Sequence, residues 1–436
     1  MENSVSALYD RLESAVRSYC RACPTEFDRA SGSYLYDVDG RAYLDFIAGC
    51  GSLNYGHNEP SMKAALLDYI ARDGVSMTLD FHSRAKTDFL RAFDALVLRP
   101  RGLDYRLQFT GPTGANAVEA ALKLARKKTG RSRVVTFTNG FHGVSLGALA
   151  ASGNGFNRGA FEGQLQNVHR AAYDGYFGPD VDTAEMLDRM MSDPSGGVGP
   201  IAAVLFEPIQ GKGGLACASP AWAQRVSSIA RRHGALVIVD EIQAGCGRSG
   251  DFFAFEQLGI EPDIITMAKS LSGAGLPMSL VLVAPEVDAW SPGEHNGTFR
   301  GNAHAFVTAK AALETFWSDG SFAAEVRRKG AIVRRRLEAL AADIGGRVKG
   351  RGLMIGLDVG SGERAEAIKA ACLEEGLLIE LCGPHDEVIK LLAPLTIADH
   401  DLERGLAILD GAARRCIPSR HDAVARLLEA SEPVRT

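Results

Sequence analysis

Apolar positions change their spacing along the chain. Near the N-terminus two alternating runs, Tyr34-Leu-Tyr-Asp-Val and Arg41-Ala-Tyr-Leu-Asp-Phe46, flank Asp39-Gly40, a pattern that predicts a β-hairpin. The residues before it, 1 to about 30, read as a helix followed by an irregular arm. From about residue 61, short apolar runs alternate with amphipathic stretches of helical period, the texture of an α/β domain. Strands are predicted over 105–109, 133–138, 202–206, 235–239, 264–267 and 279–284. Several are apolar at every position, as strands covered by helices on both faces should be. Beyond residue 315 long charged helices dominate, such as 323–342, with a strand near 353–359 and a helix near 365–375. These shifts predict four segments: 1–60 as the N-terminal part of a smaller α+β domain, 61–314 as a large domain with a mostly parallel sheet, 315–420 as the rest of the smaller domain, and 421–436 as a helical, loose tail.

Composition narrows the class. The 436 residues are 46% hydrophobic with a net charge of −5, and the basic residues are scattered, so no nucleic-acid footprint exists. The first residues mix Glu2, Asp10, Glu13 and Arg17 among apolar ones, unlike a signal peptide. No stretch reaches the roughly 18 apolar residues that cross a bilayer, and a cytoplasmic protein is expected. Eight cysteines spread along such a length do not form a disulfide framework. Cys20 and Cys23 have C-x-x-C spacing, but no second pair follows, so a coincidence on a helical surface is expected.

Ligands of open α/β sheets bind beyond the carboxyl ends of the strands, and five predicted strands end in polar or glycine-rich groups. They are Thr110-Gly-Pro-Thr-Gly114-Ala115, Asn139-Gly-Phe141-His142-Gly143, Glu207-Pro-Ile-Gln210, Asp240-Glu-Ile-Gln243 and Ala268-Lys269-Ser270. The first leads into an alanine-rich helix over 116–128, whose N-terminus suits a phosphate as well as it suits an ordinary cap. It lacks the lysine of a nucleotide P-loop. Asp240 ends an apolar strand and needs a partner there, either an arginine, a helix end or a protonated ring nitrogen. Lys269 follows another apolar run; desolvation would favour its free amine, the form that attacks a carbonyl, while snorkelling to water is the bland alternative. Lys269 follows Asp240 by 29 residues, one crossover, which places the two on neighbouring strand ends.

With those residues in place, the chain resembles the class III aminotransferases of fold type I, which use pyridoxal 5′-phosphate (PLP). The resemblance runs from about Tyr34 to Ile408 and is carried by Tyr34-Leu-Tyr-Asp-Val-Asp-Gly-Arg-Ala-Tyr-Leu-Asp-Phe, Asn54-Tyr-Gly-His-Asn-Glu-Pro60, Glu207-Pro-Ile-Gln-Gly211, Val239-Asp-Glu-Ile-Gln243 and Ala268-Lys-Ser-Leu-Ser272. It implies that Lys269 is the Schiff-base lysine, that Asp240 binds the pyridine nitrogen, and that Gln243 binds the ring 3′-oxygen. Gly114 and Ala115 would give N–H groups to the phosphate, with Phe141 stacked on the ring and His142 beside it. Thr298 would reach the phosphate of the other subunit, which implies a homodimer with shared sites. Glu207 would sit near the substrate entrance.

Within the family, the motifs look like those of diaminobutyrate–2-oxoglutarate aminotransferases. That implies transfer of an amino group from glutamate to aspartate 4-semialdehyde, with the product used in ectoine, siderophore or peptide-antibiotic synthesis. The alternatives are another ω-amino acid aminotransferase, acting on 4-aminobutyrate or acetylornithine, a class III decarboxylase or epimerase, or a non-catalytic PLP-binding protein. One departure stands out. Many ω-aminotransferases pair a glutamate with an arginine as a charge switch, and here those two positions are Lys212 and Lys390. Two cations cannot work that switch, so one or both lysines are expected to bind substrate carboxylate as point charges, with Lys212 pointing to water as the alternative.

Overall fold

The computed structural model describes residues 5–417; the expected tail over 421–436 lies outside them. The predicted strands assemble into one seven-stranded sheet. Its order is Arg106–Phe109, Leu280–Val283, Ile264–Met267, Leu236–Asp240, Ile201–Phe206, Arg133–Phe137 and Val168–Ala171. Leu280–Val283 is antiparallel to both its neighbours, and the strands from Ile264–Met267 to Val168–Ala171 pair in parallel. The other six strands therefore point the same way and bring their carboxyl ends to one rim. The inner strands are buried along almost their whole length, which explains their unbroken apolar runs. The strand Val168–Ala171 escaped the sequence reading because His169 and Arg170 interrupt its four residues and leave no apolar run.

Helix Gly114–Thr129 lies on this sheet through Ala117, Val118, Ala120, Ala121, Leu122, Leu124 and Ala125. The small alanines let its backbone approach closely, and Gly130 ends it in a left-handed cap. The helix begins two residues earlier than its apolar period suggests, so Gly114 and Ala115 form its first turn.

The remaining elements form two smaller sheets. Arg347–Arg351, Met354–Asp358, Val388–Leu391 and Glu380–Cys382 make an antiparallel sheet in that order. The helices Ser321–Ile344, Gly362–Glu374 and Asp399–Cys416 share a buried core with it. The hairpin forms between Tyr34–Asp37 and Ala42–Asp45, with a longer loop than a two-residue turn: Asp37 accepts the N–H groups of Asp39 and Arg41 on its side chain. Phe27–Ser31 adds a strand on one side where an irregular arm was expected, and Leu377–Leu378 adds one in parallel on the other. The N-terminal segment is thereby pinned to the C-terminal part of the chain. Among the described residues, no helix is long and apolar enough to cross a membrane and no group of side chains could hold a metal ion. Cys20 and Cys23 are both free thiols.

Candidate active site

The common rim of the sheet collects the residues singled out in the sequence. Asp240, the last residue of its strand, is buried. Its Oδ1 accepts the Ile242 N–H (3.0 Å) and the Thr266 hydroxyl (3.1 Å), and its Oδ2 lies 2.7 Å from Nδ1 of His142. A carboxylate only accepts, so Nδ1 carries the proton of that bond. His142 is itself buried, with its backbone N–H donating to Ser152 Oγ at 2.8 Å. It therefore backs the carboxylate, a role that the sequence had not distinguished from a place beside the ring.

Lys269 stands on the neighbouring strand end, at the start of the short helical turn Lys269–Ser272. Its backbone adopts φ +50°, a left-handed conformation that costs a side-chain-bearing residue on the order of 1–3 kcal/mol. Ser270 holds the turn in place: its hydroxyl donates to the Gly51 carbonyl (2.8 Å) and accepts the Asn54 N–H (3.0 Å). Nζ of Lys269 makes no hydrogen bond or ion pair among the described residues. Burial is the largest influence on that amine and lowers its pKa; Lys390 pushes the same way, while Cys50, Glu380 and Asp240 oppose. The neutral, nucleophilic form is thus favoured.

At the third strand end, the N–H groups of Gly114 and Ala115 lie in the first turn of a 16-residue helix, where no intrahelical acceptor exists. A Cβ on Gly114 would lie 2.8 Å from Ile242 Cδ1, so a larger residue there would have to push the Ile242 side chain aside. Ser279, which the sequence reading passed over as a strand residue, steadies the preceding loop by bonding Thr110 Oγ1 and the carbonyl of Gly111. Gln243 donates to the Cys50 carbonyl at 3.0 Å. Thr298 is exposed at the start of the short turn Thr298–Gly301, next to Gly297, which packs against the Thr110 carbonyl.

Three further residues gain partners that the sequence did not show, and for Lys212 the outward alternative is the one adopted. Glu207 is buried, and its two oxygens accept the N–H groups of Phe141 and Gly211, each at 2.9 Å, bracketing the loops on either side of the site. Burial pushes its pKa up to about 7, with His142 opposing and Asp240 adding to the rise. Lys212 turns outward: its side chain is 39% exposed and lies 3.4 Å from Asp386. Lys390 is not a free point charge. It is buried, bonds the Gly211 carbonyl (3.1 Å), and pairs at 2.9 Å with Glu380, a residue that had not been singled out. Glu380 Oε1 also accepts the Tyr19 hydroxyl at 2.7 Å, with Cys50 Sγ at 3.4 Å. Burial alone would raise the Glu380 pKa, but Lys390 reverses this and holds it at about 2.

An unpaired amine, a backed carboxylate one strand away and free N–H groups at a long helix start fit an aromatic aldehyde that carries a ring nitrogen and a phosphate. The comparisons agree. The class-III aminotransferase profile matches residues 17–412, and the chain belongs to that family, whose cofactor is PLP. A diaminobutyrate–2-oxoglutarate transaminase of Vibrio cholerae is 54% identical over 406 residues, covering 92% of this chain and 98% of its own. An uncharacterized aminotransferase of Sinorhizobium fredii is 51% identical over 413 residues, covering 94% and 92%. Among solved structures, ornithine aminotransferase of Toxoplasma gondii superposes with a TM-score of 0.81 at 26% identity, covering 95% of both chains.

Proposed function

We propose that the chain transfers the amino group of glutamate to aspartate 4-semialdehyde, giving L-2,4-diaminobutyrate and 2-oxoglutarate. The observation that carries the reading is a buried cation, Lys390, whose ammonium bonds the carbonyl of Gly211, the residue whose N–H Glu207 holds beside the site. A carboxylate on the reacting carbon of glutamate needs such a group. The name borne by the Vibrio cholerae relative, at 54% identity, supports the particular substrates.

Bound at the sheet rim, PLP supplies an aldehyde and a ring that takes up the electron pair left when a C–H bond breaks. The protein does the rest. Gly114 and Ala115 would hold the phosphate by their N–H groups, and Phe141 would cover a ring face. Gln243, already donating to Cys50, orients the ring oxygen. Asp240, braced by His142, keeps a proton on the ring nitrogen, a charge-assisted bond worth roughly 1.5–3 kcal/mol. Lys269 would hold the cofactor at rest, and its Nζ would move the proton from the substrate carbon, help worth roughly 10²–10⁴-fold. Thr298, exposed in one chain, reaches the phosphate site of a second, so the working form is a homodimer.

Mass spectrometry of products from glutamate plus aspartate 4-semialdehyde tests the reaction. Turnover of glutamate that needs no oxo-acid acceptor would instead indicate a decarboxylase or epimerase. A preference for 4-aminobutyrate or acetylornithine over diaminobutyrate, in a panel of ω-amines, would overturn the substrate. Borohydride treatment followed by peptide mapping should place the cofactor on Lys269.

A further inference from the structure

The motifs Tyr34–Phe46 and Asn54–Pro60 have no part in the chemistry so far, yet their polar residues meet. Asp45, at the end of strand Ala42–Asp45, is buried, and its Oδ2 lies 2.7 Å from Nε2 of His57. A carboxylate only accepts, so Nε2 carries the proton of that bond. The backbone of His57 exchanges two hydrogen bonds with Gly32, at 2.8 and 2.9 Å, which fixes where the imidazole starts. The other oxygen of Asp45 accepts the N–H groups of Ile47 (2.8 Å) and Ala48 (2.9 Å).

The segment that Asp45 holds runs against the usual hand. φ is positive at four successive residues, Ala48 (+45°), Gly49 (+59°), Cys50 (+60°) and Gly51 (+80°). Residues with side chains adopt this conformation singly and seldom in runs, because Cβ crowds the following carbonyl. Such strain persists only where the surroundings over-determine it. The reversed turn aims its last two carbonyls at two different strand ends. The Cys50 carbonyl accepts the Gln243 side-chain amide at 3.0 Å, in the loop after Asp240, and the Gly51 carbonyl accepts the Ser270 hydroxyl at 2.8 Å, next to Lys269. The bond to Cys50 uses one N–H of the amide and leaves the other for a ring oxygen. We propose that Asp45 and His57 are positioning residues for the reaction: they hold the left-handed turn that fixes Gln243 and Lys269 relative to each other. One carboxylate suits the task because one oxygen takes two N–H groups of the turn while the other takes the imidazole.

The proposal rests on the transaminase reading, and its test separates the two. In the holoenzyme, the pH midpoint of the cofactor absorbance reports on the nitrogen of Lys269 and needs no amino donor. Stopped-flow absorbance with glutamate deuterated at Cα isolates the proton transfer. In His57→Leu the transfer should slow about 10-fold or more, as for any misplaced reacting group, with glutamate KM within about 3-fold of the wild type. The midpoint should rise by about half a pH unit or more, because a looser turn hydrates the nitrogen and hydration favours its charged form. His57→Gln puts an N–H back beside Asp45 and should recover most of both effects. Ser270→Ala cuts the link at its far end and should slow the transfer about 5-fold or more, and adding it to His57→Leu should slow the transfer little further. A His57→Leu enzyme that unfolds at a lower temperature but keeps the wild-type transfer rate and midpoint would make the pair a brace for the fold alone and overturn the proposal. If His57→Leu does not fold, Ser270→Ala decides by itself, and an unchanged rate and midpoint there overturns the proposal equally. If glutamate does not convert the wild-type cofactor, the reaction assignment fails, and the midpoint in the same variants still decides the role of Asp45 and His57.

Discussion

Replacing Lys390 by methionine keeps the volume of the side chain and removes its charge, leaving Glu380 buried among Tyr19, Cys50 and an apolar wall. Beside Lys390 the Glu380 carboxyl is held well below the ordinary carboxylate range, at about 2. A depressed acid stabilises the fold above its unfolded pKa and loses that contribution as pH falls through its folded one. Deleting one partner of a buried pair costs ~3–5 kcal/mol. Lys390→Met should therefore cost about 3–5 kcal/mol at pH 8. With its counter-charge gone, burial raises the carboxyl instead of lowering it, so the penalty should shrink toward pH 5 as Glu380 takes up a proton. The double variant Glu380→Gln/Lys390→Met buries no unpaired charge and should lie within about 1 kcal/mol of the wild type. Urea unfolding of the four proteins, followed by circular dichroism at both pH values, closes the cycle. Additive single penalties, or a Lys390→Met cost that does not change with pH, would refute an ionised pair at this place.

Three further outcomes follow from the site. Lys212→Ala breaks only a half-exposed contact with Asp386, so stability should change by less than about 1 kcal/mol and glutamate KM by less than about 2-fold in steady-state assays. Glu207→Gln sets an amide NH₂ against the N–H of Phe141 or Gly211, an unmet donor costing ~1–3 kcal/mol in a denaturant titration. Because the Glu207 pKa is raised to about 7, its stability contribution is largest near pH 4.5 and declines as pH climbs through 7, a decline that should be absent in the variant. Gly301→Ala would drive a Cβ into the backbone oxygen and nitrogen of Leu79. The loop carrying Thr298 must then shift, and PLP affinity measured by absorbance titration should weaken by at least 10-fold if Thr298 reaches a phosphate.

What could be read without coordinates was what periodicity and strand ends encode. The unbroken runs before Asp240 and Lys269 mark covered strands, and their strands are neighbours in the sheet with Asp240 opposite Thr266. The edge strand Val168–Ala171 had no such signal, since His169 and Arg170 fill its middle. Glu380 was illegible for a different reason. It sits in Leu377-Leu-Ile-Glu-Leu-Cys382, a run too short and too apolar to show which way the glutamate points. Its partner is set by cross-strand register with Lys390, and register across a loop is a property of the folded sheet. Tyr19 and Cys50 lie still further off along the chain and meet Glu380 only because the N-terminal segment is pinned to Leu377–Leu378.

That pinning also explains what holds the lysine in place. Asn54 donates its side-chain amide to the Cys246 carbonyl at 2.9 Å and its oxygen accepts from Arg248, while its backbone carbonyl takes the Leu395 N–H at 2.6 Å. Arg248 is fully buried and also bonds the carbonyls of Leu353 and Ala393. One asparagine and one arginine thus tie the N-terminal segment, the loop after Asp240 and the C-terminal sheet to a single point, and the Asn54 N–H passes the restraint to Ser270, next to Lys269. The strained φ of Lys269 survives because these bonds over-determine it. Burial pulls the Arg248 pKa down to about 9, so the knot carries a strongly desolvated charge with neutral partners. Arg248→Leu should leave Asn54 Oδ1 and two carbonyls unmet and cost more than about 3 kcal/mol. Arg248→Lys reaches fewer of them and should lower both stability and the rate of proton transfer by Lys269 together. A variant that lost stability without slowing that transfer, seen as an unchanged deuterium-sensitive step, would show that Lys269 is positioned by its own turn alone.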